Sequence, residues 1–146
     1  WMWGNTQIAS LVGWLNQYNQ TRAADQKVGF FGLDVYCLWE SAAEIIPYIQ
    51  GNDSLIQIAQ NVQNCFRPFS ADAIQYAYAV ANAEANCRIQ TEKFYSSIYK
   101  ITGGTTAMNE RDFVLQQNAL VVLNGERYYR AAARSNVESW NIRDGI

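Results

Sequence analysis

One stretch of this chain reads as a β-strand, and a strand cannot stand alone. Residues 28–35, VGFFGLDV, form an apolar run without clean alternation, the pattern of a strand covered by helices on both faces. Its N–H and C=O groups need neighbouring strands, and nothing else in the sequence reads as one. Gly29 and Gly32 weaken the run unless something approaches its backbone closely. The expectation is an all-α fold, a bundle of about five to seven helices. In it, residues 28–34 are extended but unpaired and would join a sheet outside this chain. Residues 1–146 are then a single helical domain, one segment of a larger α/β protein.

The remaining sequence is helical in period. Ile8, Leu11, Val12 and Leu15 fall on one helical face, which predicts a helix over 6–19 capped by Asn5 or Thr6. A second helix is expected from Cys37 to Ile49, interrupted at Pro47 by a kink or a new first turn and closed at Gly51. A third begins at Asn52 or Asp53, carries Leu55, Ile58, Ala59, Val62, Cys65 and Phe66 on one face, and stops at Pro68. Ser70 is the expected cap of a short helix reaching Ala81. Cys87, Thr91, Phe94, Ile98 and Ile101 set the spacing of another over about 83–102, ended by Gly103 and Gly104. Asn109 with Asp112 resembles an acid-bearing capping box and opens the longest helix, to about Arg134. A final helix is expected within VESWNIRD.

Composition narrows the function. At 49% hydrophobic and 14% aromatic the chain can bury a core. A net charge of -2 argues against nucleic acid as a partner. No apolar run approaches the roughly 18 residues of a membrane span, so no membrane role is expected. No signal peptide is visible, although Trp1 leaves open a removed N-terminal segment. The chain contains no histidine, which removes the commonest general base and metal ligand. Three cysteines without a CxxC pattern argue against zinc, and Gly103-Gly104 lacks the residues of a phosphate loop. We therefore expect no metal, no cofactor and no complete catalytic set in this chain.

Several residues carry chemistry worth locating. Asp34 sits near the end of the apolar run, where α/β proteins place ligand-binding groups; it equally suits the cap of the following helix. Arg127, Arg130 and Arg134 form a basic stripe suited to an anion, though a solvated face near a helix C-terminus is preferred. Tyr76, Tyr78, Tyr95, Tyr99, Tyr128 and Tyr129 could line a cleft, with interhelix packing the preferred role. Glu40 and Glu44 share a helix face and are read as solvated. Cys65 and Cys87, which close one helix and open another, are expected within reach of each other. Reduced, buried thiols are preferred over a bond. The compartment stays open, with the cytoplasm preferred.

Three stretches carry a family resemblance: WMWGNTQIASLVGWLNQYN, VGFFGLDVYCLWESAAEIIPYI and QQNALVVLNGERYYRAAARSNVESWNIRD. In this order they resemble erythromycin esterase-like hydrolases, a family that includes succinoglycan-biosynthesis-type proteins. The likeness runs from Trp1 to about Asp144 and is weakest between Pro68 and Met108. It extends to Cys65-Phe66 and Cys87, where many members also have cysteine. Gly4 stands where an Arg is common and Cys37 where a Ser is usual.

The resemblance implies a bacterial-type enzyme with an α/β core and an inserted helical section. Its macrolide-resistance members open a lactone with activated water. The catalytic Glu and His motifs of the family lie before and after the stretch matched here, so no catalytic residue is carried onto this chain. Trp3, Asp34, Tyr36, Asn141, Arg143 and Asp144 are the residues expected to bind substrate or face that core. The implied partners are the remainder of the polypeptide and a small-molecule ester or lactone. A cleft-shaping segment of a hydrolase is thus the favoured reading. The rival is a stand-alone helical module that binds a protein.

Overall fold

The computed structural model of the chain describes residues 4–30, 37–69, 72–82, 86–104 and 108–133. These residues form six α-helices and contain no strand, an all-α arrangement as the periodicities predict. The chain divides into two compact units, residues 1–32 and 33–146.

The first unit is built on α1 (Thr6–Gln20) and a 3-10 turn (Ala24–Gln26). Asn5 caps α1, its side chain accepting from the Ile8 amide at 2.9 Å. Val28 to Phe30 lie outside any helix or strand; the rest of the expected extended run lies outside the described residues. Both backbone polar groups of Val28 are nonetheless paired. The Asn19 carboxamide donates to its carbonyl and accepts from its amide, each at 2.9 Å. A side chain here supplies the two bonds that a neighbouring strand would otherwise offer.

The second unit holds α2 (Leu38–Glu44), α3 (Asp53–Phe66), α4 (Ala73–Asn82), α5 (Arg88–Ile101) and α6 (Glu110–Ala132). Of the kink and the new first turn expected at Pro47, the structure has the second: a separate 3-10 turn, Ile46–Ile49, because the proline ring cannot continue the hydrogen-bond ladder of α2. Asn52 caps α3 by accepting from the Leu55 amide, and Pro68 lies in the 3-10 turn Arg67–Phe69 that follows. At α4 it is Asp72 that accepts from the amides of Ile74 and Gln75; Ser70, the expected cap, lies outside the described residues. α5 begins at Arg88, several residues later than its spacing suggests, immediately after Cys87.

The two glycines at the end of α5 have a defined task. Gly103 and Gly104 adopt φ of 72° and 79°, and the Gly104 amide bonds the Tyr99 carbonyl. This is the left-handed closure that L side chains resist. At the start of α6, Asn109 accepts from the Asp112 amide, while its own side-chain amide donates to the Asp112 carboxylate at 2.9 Å. The return bond of the capping box thus goes to the Asn109 side chain rather than to its backbone.

α6 is the axis of this unit and packs against α2, α4 and α5, while α3 packs against α5 and α2. Its buried residues include the consecutive Val121, Val122 and Leu123, more than a single apolar stripe can hold. A helix with neighbours on several sides is apolar nearly all round. Leu38, Ile45, Val62, Phe66, Phe94 and Ile98 complete the core around it.

Candidate functional site

The candidates Trp3, Asp34, Tyr36, Asn141, Arg143 and Asp144 all lie outside the described residues, as does the helix expected in VESWNIRD. The chemistry concentrated among the described residues lies elsewhere, at Glu126 on α6. Its side chain is fully buried. A carboxylate in such a position needs partners for its oxygens, and three donor groups provide them. Arg130, one turn on, donates from Nε to Oε1 at 2.9 Å and from Nη2 to Oε2 at 3.1 Å. The Tyr76 hydroxyl, on α4, donates to Oε1 at 2.8 Å.

Tyr76 also works as an acceptor. The Cys87 amide donates to its hydroxyl at 3.0 Å, so one oxygen connects the start of α5 to the carboxylate on α6. Its ring is wedged edge-on against Phe66 and Phe69, with centroids 5.1 Å away in each case. Burial pushes the Tyr76 hydroxyl well above the usual phenol range. The charge of Glu126 and its hydrogen bond push the same way, and the Cys87 amide opposes them. Hydrogen bonding to Glu126 raises the Arg130 guanidinium in turn.

Cys65, near the end of α3, is joined to Cys87 by a disulfide across a sequence separation of 22, with Cα atoms 5.8 Å apart. The sequence reading preferred separate thiols. The packing of α3 on α5 brings the two residues together in the geometry that oxidation requires. The disulfide and the buried ion pair are therefore neighbours, linked through the backbone of Cys87 and the hydroxyl of Tyr76.

The other candidates separate. Arg130 turns inward to Glu126 while Arg127 is exposed, and Arg134 lies outside the described residues. The basic stripe is therefore not a single solvated face. The six tyrosines do not form one cleft lining either. Tyr76 is core, Tyr78 is exposed, Tyr95 and Tyr99 pair with each other, and so do Tyr128 and Tyr129. Glu40 and Glu44 are exposed, as expected of a solvated face. Among the described residues no group of three or more His, Cys, Asp or Glu side chains could hold a metal ion. No helix there is long and apolar enough to cross a membrane.

Glu126 escaped the sequence reading, although a signal was present. It stands four residues before Arg130 within VVLNGERYYRAA, a run rich in apolar and aromatic residues. An acid and a base at i, i+4 inside such a run can be buried as a pair. Its oxygens, turned to Tyr76 and Arg130, tie α6 to α4.

A profile of the erythromycin esterase family matches residues 1–146, the whole chain. The chain belongs to the erythromycin esterase family. No solved structure matches it. Membership agrees with the resemblance carried by the three quoted stretches and relates the chain to hydrolases. Within this erythromycin esterase family member, the match runs through both compact units and through the Glu126–Arg130 pair.

Proposed function

We propose that residues 1–146 are the helical section of an erythromycin esterase-like hydrolase, shaping the substrate cleft without carrying the catalytic base. In the parent polypeptide, water activated by groups outside this stretch attacks an ester or lactone carbonyl. This section supplies cleft walls and donors for the developing oxyanion. The observation that carries the proposal is the family match over the whole chain. The absence of histidine supports a base located elsewhere, and the inward-facing Glu126, held by Tyr76 and Arg130, supports a framework role. Trp3, Asp34, Tyr36, Asn141, Arg143 and Asp144 are assigned to substrate binding or to contact with the catalytic core.

The test compares the chain alone with its full-length parent, using a macrolide panel and simple aryl esters. Mass spectrometry detects the gain of one water on ring opening. The expected result is turnover by the parent and none by the chain alone. Turnover by residues 1–146, abolished by a point substitution within them, refutes the non-catalytic assignment. A parent inert towards every ester and lactone, but retaining a protein through this segment, favours the interaction-module alternative.

A further inference from the structure

The disulfide and the buried ion pair form one continuous connection. Cys65 on α3 is bonded to Cys87, and the Cys87 amide donates to the Tyr76 hydroxyl. That hydroxyl donates to Glu126, which Arg130 also grips. Cys87, Tyr76 and Glu126 are all buried, so water cannot replace a bond lost among them without the structure opening. Cys87 also occupies the cap position of α5, yet its side chain makes no capping hydrogen bond there. The covalent link to α3 holds the start of α5 together with Asn86, whose side chain accepts from the Arg88 amide at 3.1 Å.

We infer that the Cys65–Cys87 disulfide is a redox-controlled lock on the buried Glu126–Arg130 pair, with Tyr76 as the connecting residue. When the disulfide is intact, Cys87 is fixed and its amide holds the Tyr76 hydroxyl in line with Glu126. When it is reduced, the start of α5 loses its covalent tie to α3, the Tyr76 hydroxyl loses its fixed donor, and the second half of α6 loosens. The reductant is a dithiol. Its thiolate attacks one sulfur of the pair, forming a mixed disulfide as the Cys65–Cys87 bond breaks. Its second thiol then closes the reductant's own disulfide. Two electrons and two protons pass to the protein, which is left with two thiols. Cys65 is only partly buried whereas Cys87 is enclosed, so attack falls on Cys65 and Cys87 is the leaving group.

Hydrogen exchange followed by mass spectrometry on the whole chain tests this. Four samples are compared: oxidised protein, protein reduced with dithiothreitol, the Cys65→Ser/Cys87→Ser variant, and Tyr76→Phe with its disulfide intact. Reduction should accelerate exchange over residues 122–130 by about tenfold, the change that loss of one buried hydrogen bond gives. The double variant should match the reduced protein. Tyr76→Phe should accelerate residues 122–130 similarly while leaving the last turn of α3 protected. Unchanged exchange over 122–130 on reduction overturns the lock. So does acceleration on reduction that Tyr76→Phe fails to reproduce, because the route through Tyr76 would then be unused. Uniform acceleration across α2 to α6 also overturns it, marking the disulfide as a general staple.

Discussion

Tyr76 and Glu126 stand fifty residues apart in sequence, and the hydroxyl of one donates to the carboxylate of the other at 2.8 Å inside the core. Each is buried beyond the reach of water. The bond joins α4 to α6, and Arg130 and the Cys87 amide complete the cluster around it.

Breaking this cluster should cost unequal amounts. Arg130→Ala leaves the Glu126 carboxylate buried without its counter-charge and should lower unfolding free energy by about 3–5 kcal/mol. Tyr76→Phe removes one hydroxyl and strands the Cys87 amide, for about 1–3 kcal/mol. Urea unfolding of the oxidised proteins measures both. A loss below about 0.5 kcal/mol for Arg130→Ala, the size of an exposed pair, would show that the pair is solvated.

Alkaline stability should carry the signature of Tyr76. Its ionisation is displaced upwards from the ordinary value of 10.0, chiefly by burial. The unfolded chain therefore releases a proton near pH 10 that the native protein retains. The stabilisation from the neutral hydroxyl is full below that pH and is lost as pH rises towards the native value. In a tyrosinate absorbance titration, Tyr76 should contribute a step that appears only with unfolding. Tyr76→Phe should abolish that step. Its persistence in the variant would assign the step to another ring.

The capping residues give a local test. Asn52→Ala and Asn109→Ala each remove the acceptor for a first-turn amide, and each should cost about 1 kcal/mol. Asn109→Ser should recover the amide bond but not the bond from the Asn109 side chain to Asp112. Equal stability of Asn109→Ala and Asn109→Ser would mean that the amide bond contributes nothing. Chemical denaturation of the three variants decides it.

Asp34 separates a site from a cap. On the proposed function, Asp34→Asn in the full-length parent should depress kcat well beyond any change in Tm. Lost stability with unchanged turnover per folded molecule would make Asp34 a helix cap.

The sequence by itself determined what is local. Asn52 and Asn109 announce helix starts, Pro68 and the Gly103-Gly104 pair announce stops, and the apolar spacing of α3 announces its buried face. Each of these acts within one or two helical turns, through a hydrogen bond or a steric limit that neighbouring residues fix. Even so, the start of α5 was misplaced, because apolar spacing marks a face and not the residue at which the helix begins. Tertiary structure alone decided that Cys65 and Cys87 are bonded, that Arg130 turns inward, and that Val28 pairs with a side chain of α1. It also decided that the charge at Glu126 lies in the core. These depend on which faces of separate helices meet and at what height. A buried carboxylate is tolerated only where a distant hydroxyl and a nearby guanidinium converge on it, and that convergence belongs to the packing of α4, α5 and α6.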